Sequence, residues 1–291
     1  MQKILLFHIL FIQVVLSVLF IGCKEKNTHP DAPTITVSIE PLRFFTEQIA
    51  GNRFHVTTLV PKGSNPETYE PTPQQLISLS DSKVYLLVGD LGFERTWVKR
   101  IAENAPDLKF FNLSQNINLL KDSHHHDGHT HTGTDPHTWT SPKNAQIIAK
   151  NICDALCSID SAGTIYYQKR LKRLDKQLEK IDLMIRHELE AVSNRTFMIY
   201  HPALGYFARD YGLQQVCIEE GGKEPSPSQL KNLIRNVKNE KVGVVFVQQE
   251  FSSTNAELIA RETGARIVRI NPLSYHWSEE IIQIARALKN E

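Results

Sequence analysis

The sequence predicts an α/β protein with two doubly wound parallel-sheet domains joined by a long rigid helix. Two observations support this prediction. Strand-like and helix-like segments alternate along the 291 residues, and the alternation occurs in two separate rounds. Between the rounds, residues 165–191 contain no glycine or proline and repeat apolar residues mostly at intervals of three and four, which indicates one amphipathic helix. A helix of about thirty residues would be roughly 45 Å long, enough to run along both domains and hold them.

Each round supplies four short apolar strands and four helices. In the first round, the predicted strands are residues 34–39, 54–60, 84–88 and 108–113, and the predicted helices are residues 42–50, 74–80, 94–103 and 142–158. In the second round, the predicted strands are residues 196–200, 213–218, 242–247 and 265–270, and the predicted helices are residues 204–211, 228–238, 255–263 and 279–288. The predicted domains are therefore residues 34–160, including a histidine-rich loop at 121–134, and residues 194–291, with the linker helix at 161–193.

The N-terminus has the layout of a signal peptide. Residues 1–22 carry one charge, Lys3, followed by an apolar run that ends at Gly22-Cys23. A small residue directly before cysteine resembles the lipobox of bacterial lipoproteins, in which the cysteine is lipidated, so residues 23–33 are predicted to form a tether anchored through Cys23. A transmembrane anchor is the alternative, since the run is roughly long enough to span a bilayer. Either arrangement places the rest of the chain outside the cytoplasm.

Charge and cysteine content exclude several classes of protein. The chain has 33 basic and 32 acidic residues, so it lacks the electrostatic footprint of a nucleic-acid-binding protein. Cys153 and Cys157 lie one helical turn apart in a helical stretch. Cys217 lies in an apolar, strand-like stretch. This spacing is typical of core residues and implies no disulfide framework.

Histidines indicate metal binding, because imidazole is the commonest transition-metal ligand. Six of the chain's twelve histidines fall within fourteen residues. Five form a run among glycine, threonine and aspartate, which favour a loop: His124, His125, His126, His129 and His131. This run is interpreted either as a low-affinity metal collector or as a polar loop. The sixth, His137, differs because it precedes Ser141-Pro142 and a helical pattern.

Four candidate ligands follow predicted strands, where α/β domains place their ligands. They are Glu67, His137, His201 and Asn271. Two lie in each half of the chain, so a metal site in the interdomain cleft could take ligands from both domains.

The motifs around these residues resemble a known family: the metal-binding subunits of zinc and manganese ABC importers, which are solute-binding lipoproteins with a rigid helical linker. The resemblance covers nearly the whole mature chain. It rests on Pro-Glu-Thr-Tyr-Glu-Pro-Thr-Pro at 66–73, Asp-Pro-His-Thr-Trp-Thr-Ser-Pro at 135–142, His201 with Gly-Tyr-Phe-Ala at 205–208, Glu-Pro-Ser-Pro at 224–227 and Asn-Pro-Leu at 271–273. The histidine-rich loop and His201 are similar to features of the zinc-selective branch.

Two candidate ligands depart from the family pattern. The family usually has histidine in place of Glu67 and often aspartate in place of Asn271. Zinc accepts carboxylate oxygen together with imidazole nitrogen, so Glu67, His137 and His201 form a plausible set. The Asn271 amide is expected to be a weak ligand or to orient another ligand. The fourth position is left to water, Glu70, Glu250 or a loop histidine.

The resemblance implies a binding protein, not an enzyme, that captures extracytoplasmic Zn(II) as a transported ligand. The expected partners are an ABC membrane permease and, through Cys23, the membrane; we expect no nucleic-acid partner and a monomer. The sequence contains no Walker phosphate loop, so the energy for transport would come from another chain.

Other functions and other metals stay open. A zinc hydrolase could use two histidines and a carboxylate, but the sequence has no His-Glu-x-x-His helix to supply a general base. A surface metal buffer or adhesin would need no permease. The same ligand set also suits Mn(II) or Fe(II).

Overall fold

The computed structural model describes residues 32–121, 133–219 and 222–289. The predicted signal peptide, the lipidation site at Cys23 and the histidine run at 124–131 lie outside these residues. No helix in the described ranges is long and apolar enough to cross a membrane.

The N-terminal lobe is built on a four-stranded parallel sheet. Its strands are β1 (Thr34–Val37), β2 (His55–Thr58), β3 (Val84–Leu87) and β4 (Lys109–Asn112), in the order β2-β1-β3-β4. Its helices are α1 (Glu40–Ala50), α2 (Pro73–Ser80), α3 (Gly92–Asn104) and α4 (Pro142–Ile159).

The C-terminal lobe repeats this topology. Its strands are β5 (Thr196–Ile199), β6 (Gln214–Cys217), β7 (Val244–Gln248) and β8 (Arg266–Ile270), all parallel, in the order β6-β5-β7-β8. Its helices are α6 (Gly205–Tyr211), α7 (Pro227–Glu240), α8 (Thr254–Thr263) and α9 (Trp277–Lys289). In both sheets the chain first winds one way and then the other, which opens a ligand crevice at the carboxyl ends of the central strands.

The linker helix α5 (Thr164–Leu189) connects the lobes. It has 26 residues and is therefore about 39 Å long. Its buried stripe includes Leu174, Leu178, Ile181 and Ile185, the spacing expected of an amphipathic helix. The helix packs against α1 and α4 of one lobe and α9 of the other. The predicted fold class, two parallel α/β sheets and a long helix, is confirmed.

Two tryptophans lock the lobes together behind the cleft. Trp139 Nε1 donates to Pro272 O at 2.9 Å, and Trp277 Nε1 donates to Trp139 O at 2.8 Å. Both side chains are 1% exposed, so these bonds lie in a water-free environment. One continuous buried apolar cluster includes residues of both lobes. This shared core opposes a wide hinge motion between the lobes.

Candidate metal centre

A small cavity lies between the lobes at the carboxyl ends of the strands. Residues from both lobes line it: Asn65, Pro66, Glu67, His137, Trp139, His201, Ala203, Gln248, Glu250, Phe251, Pro272 and Leu273. Its volume is about 20 Å³, room for about one water-sized occupant. A cavity of this size has room for a single ion.

His137 enters the cavity from the loop before α4. The Asp135 carboxylate oxygen Oδ1 accepts hydrogen bonds from the His137 backbone N at 2.9 Å and from ring Nδ1 at 2.8 Å. From the other lobe, the Tyr206 hydroxyl donates to Asp135 O at 2.6 Å. Because Nδ1 faces the carboxylate, the ring is held with Nε2 as its free nitrogen.

His201 enters from the opposite side, two residues after β5. Strand β5 pairs with β6 so that Ile199 lies opposite Cys217. Two residues beyond that pair on each chain segment, His201 Nδ1 lies 2.6 Å from Glu219 Oε1, within hydrogen-bond distance. This imidazole therefore has the same backing as His137: a carboxylate on Nδ1 and Nε2 left free.

The two free nitrogens point at each other. His137 Nε2 and His201 Nε2 are 3.1 Å apart. With both Nδ1 atoms donating to carboxylates, two lone pairs would face each other unless a proton or a cation lies between them. Two imidazole nitrogens on one tetrahedral zinc ion, at about 2.0–2.1 Å each, would lie about 3.3–3.4 Å apart. The observed pair is close to that separation.

The charge around His137 favours a cation. Burial lowers the pKa of His137, but the hydrogen bond and negative charge of Asp135, together with the charges of Glu67 and Glu219, outweigh burial, and the pKa is raised above 6.5. These carboxylates stabilise positive charge at the imidazole. A bound divalent ion would benefit from the same field.

Glu67 is held by the N-terminus of α3. Gly92 N donates to Glu67 Oε2 at 3.1 Å, and Arg95 lies 3.8 Å from the same oxygen. A Cβ at Gly92 would lie 2.2 Å from Glu67 O, so this close approach requires glycine. The second oxygen, Glu67 Oε1, is buried without a hydrogen-bond partner in the described structure. This oxygen is therefore available to bind an ion.

The candidates for the fourth ligand position differ in whether they line the cavity. Glu250 lines the cavity, and its Oε1 is buried without a partner among the described residues. Glu70 is exposed and does not line the cavity. Asn271 does not line it either; its Oδ1 accepts from Leu273 N at 3.1 Å in a local turn. The structure thus gives the Asn271 amide oxygen a role in the turn.

Within the described residues, the structure does not gather three His, Cys, Asp or Glu side chains closely enough to hold an ion. The formed part of the site is the imidazole pair. Glu67 and Glu250 border the same cavity, and side-chain rotation would have to bring their free oxygens to the ion.

Two α/β lobes fixed on a long helix, with an ion-sized, imidazole-lined cavity between them, define the class of metal-binding solute-binding proteins of zinc and manganese ABC importers. The chain belongs to the family of the periplasmic component A of zinc-uptake complexes (ZnuA), whose family model matches residues 35–287. Members of this family are extracytoplasmic, non-enzymatic binding components, so the predicted class, extracytoplasmic location and absence of enzymatic activity are confirmed.

Relatives named for either metal are similar to the chain. The high-affinity zinc uptake system protein ZnuA of Bacillus subtilis is 29% identical over 288 residues, covering 93% of this chain and 90% of that protein. The manganese-binding lipoprotein MntA of Halalkalibacterium halodurans is 28% identical over 265 residues, covering 88% and 86%. A crystal structure of ZnuA matches with a TM-score of 0.84 at 36% identity and covers 89% of this chain and 99% of that one. The family is thereby shown to be a metal-binding one, and the relatives do not distinguish zinc from manganese.

Sequence reasoning missed the two carboxylates behind the imidazoles. Asp135 stands two residues before His137 in the Asp-Pro-His motif, a position from which its side chain could have been predicted to reach the ring. Glu219 is eighteen residues after His201. Only the register of β5 and β6 identifies it.

Proposed function

We propose that the chain captures extracytoplasmic zinc in the cavity between its lobes and delivers it to an ABC membrane permease. The observation that carries this proposal is the pair of His137 and His201 Nε2 atoms 3.1 Å apart, each imidazole backed by a carboxylate. Carboxylate–histidine–zinc arrangements of this kind orient metal-binding rings and raise their basicity.

Glu67 is the third proposed ligand, because its Oε1 is buried, unpartnered among the described residues, and borders the cavity. Asn271 then acts at most indirectly, by fixing the turn that carries cavity residues Pro272 and Leu273. The histidine run at 124–131 would collect zinc at lower affinity. The protein would act as a monomer anchored to the membrane by a lipid on Cys23.

Manganese is the second candidate cargo, and a specific observation favours it. Two carboxylates with unpartnered oxygens border the cavity, and carboxylate oxygen suits Mn(II) better than a set made only of imidazoles. Zinc stays first because two neutral nitrogens and carboxylate oxygen are also an ordinary zinc set.

The test is calorimetric titration of the metal-free protein with zinc and with manganese. His137→Ala and His201→Ala should each weaken the tightest zinc site by about 100-fold or more, exceeding the roughly 10- to 100-fold cost of losing an outer-shell partner. His187→Ala is the matched control, because His187 is exposed on the linker helix. Wild-type zinc affinity in both cavity variants would rule the proposal out; tighter binding of manganese than of zinc would transfer it to the second metal.

A further inference from the structure

Glu250 and His201 each follow a central strand of the C-terminal sheet by two residues, and both line the cavity. Strand β7, which ends at Gln248, is the neighbour of β5. Phe251 N donates to Gln248 O at 3.2 Å, which closes a turn containing Glu250. The Phe251 ring stacks on the His201 ring, with centroids 5.1 Å apart and planes inclined by 15°. The turn is therefore held against the imidazole, with Glu250 on the cavity wall.

The two carboxylates at the cavity are incompletely satisfied. Glu250 Oε1 and Glu67 Oε1 are both buried, and neither has a hydrogen-bond partner within the described ranges. A buried carboxylate oxygen that lacks a hydrogen-bond donor is costly, and such oxygens are normally paired or coordinate metals. A cation in the cavity would compensate both oxygens at once.

The side-chain amide groups at the cavity already form hydrogen bonds. Gln248 Nε2 donates to His201 O at 2.6 Å, and its Oε1 accepts from His201 N at 3.3 Å. Asn65 Oδ1 accepts from Glu67 N at 2.9 Å. These amides hold the backbone of two proposed ligands, so their oxygens already have hydrogen-bond partners, whereas Glu250 Oε1 has none among the described residues. Asn271 is occupied in the same way by its own turn.

The carboxylates behind the two imidazoles also have hydrogen-bond partners. Asp135 and Glu219 each accept from the Nδ1 atom of an imidazole. Among the side chains that line the cavity, the oxygens left unpartnered in the described structure are those of Glu67 and Glu250.

We propose that Glu250 is the fourth ligand and completes a set of two imidazoles and two carboxylates with His137, His201 and Glu67. This assignment rests on the proposed capture function and adds a residue that determines specificity. A divalent ion with two neutral imidazoles and two carboxylates has no net charge, which lowers the cost of holding it in a buried cavity. The second carboxylate also makes the site more favourable for harder ions such as Mn(II).

The test compares Glu250→Gln with Glu70→Gln. The first removes the charge at constant size, whereas Glu70 is exposed and does not line the cavity. Calorimetry of the metal-free proteins should show zinc affinity about 100-fold or more weaker in Glu250→Gln, above the range for outer-shell partners. Manganese affinity should fall further, which raises the zinc-to-manganese affinity ratio. Glu70→Gln should bind both metals as the wild type does.

The visible spectrum of the Co(II)-loaded protein gives a second measurement, because its d–d bands report the ligands around the ion. The bands should change in Glu250→Gln and not in Glu70→Gln. Glu250→Asp, which keeps the charge, should bind zinc more tightly than Glu250→Gln. Wild-type affinities with an unchanged spectrum in Glu250→Gln, or equal weakening in the Asp and Gln variants, would overturn the assignment. Failure of the capture function is distinguishable, because His137→Ala and His201→Ala would then also bind zinc normally.

Discussion

The two halves of the cavity have the same components but are held in different ways. Each lobe supplies an imidazole, a carboxylate behind its Nδ1 and a second carboxylate with an unpartnered buried oxygen: His137, Asp135 and Glu67 from one lobe, and His201, Glu219 and Glu250 from the other. In the first half, the imidazole and its carboxylate are two residues apart in one loop. In the second half, each of them lies two residues after the end of one of two neighbouring strands, β5 and β6. The first half therefore depends on local loop structure and the second on sheet register.

In the N-terminal half, a series of hydrogen bonds also holds the proposed ligand Glu67. Gly92 N holds Glu67 Oε2, and the turn before Gly92 is fixed by buried Glu94, which accepts hydrogen bonds from the backbone N atoms of Val88, Gly89 and Leu91. Ser38 Oγ donates to the same carboxylate. The Oε1 atoms of Glu67 and Glu250 are alike in being buried without a partner in the described ranges, and the difference lies in Glu67 Oε2, which the Gly92 amide holds. One oxygen of Glu67 is therefore held by the backbone before an ion binds, and only its Oε1 is left to turn toward the ion.

Among the variants that test the two halves against each other, we expect the largest loss of zinc affinity from changes to the carboxylates behind the imidazoles. Asp135→Asn and Glu219→Gln keep an oxygen that can accept from Nδ1 but remove the negative charge that raises ring basicity. Each should lower zinc affinity by about 10- to 100-fold, and by comparable amounts if the halves contribute equally. Calorimetry provides the measurement, with exposed Asp154→Asn as the control. Unchanged affinity in one of the pair would show that its imidazole does not bind the ion.

A somewhat smaller effect, on folding, is expected at Glu94. Burial, partly offset by hydrogen bonds from Ser38 and the backbone, raises the pKa of Glu94 to about 6, from 4.5. The folded state thus holds this proton more tightly than the unfolded chain does. The stabilisation is complete below pH 4.5 and is lost as the pH rises through about 6, a change of about 2 kcal/mol.

Glu94→Gln removes this titration. In urea unfolding of the metal-free proteins, the stability of Glu94→Gln relative to the wild type should rise by about 2 kcal/mol between pH 4.5 and pH 7. Exposed Glu70→Gln should show no such trend. A constant difference between Glu94→Gln and the wild type across this range would contradict the role assigned to Glu94.

The fold could be predicted from the sequence because its signals are local. Short apolar runs and the 3.6-residue repeat of the linker helix indicate each element without knowledge of its neighbours. The meeting of His137 and His201 at the cleft was also predictable, since both follow strands and carboxyl ends of parallel strands converge.

The remaining parts of the site depend on contacts that no local pattern records. Glu219 is identified by the register of β5 on β6, and the role of the Asn271 amide is decided by its bond to Leu273 N. Glu250 was one of four options for the last ligand position. Choosing it requires knowing which other oxygens are already occupied, and that is a property of the folded cavity.

The smallest effect is expected at Arg95, which tests whether Glu67 is held by the helix terminus or by charge. Arg95 lies 3.8 Å from Glu67 Oε2 and its side chain is 54% exposed, so the ion pair is worth less than about 1 kcal/mol. Its positive charge also repels a bound cation, which offsets any help it gives to Glu67. Arg95→Gln should therefore change zinc affinity by less than about fivefold in calorimetry at moderate salt. A loss as large as that of Asp135→Asn would mean that Arg95, not the Gly92 amide, positions the Glu67 carboxylate.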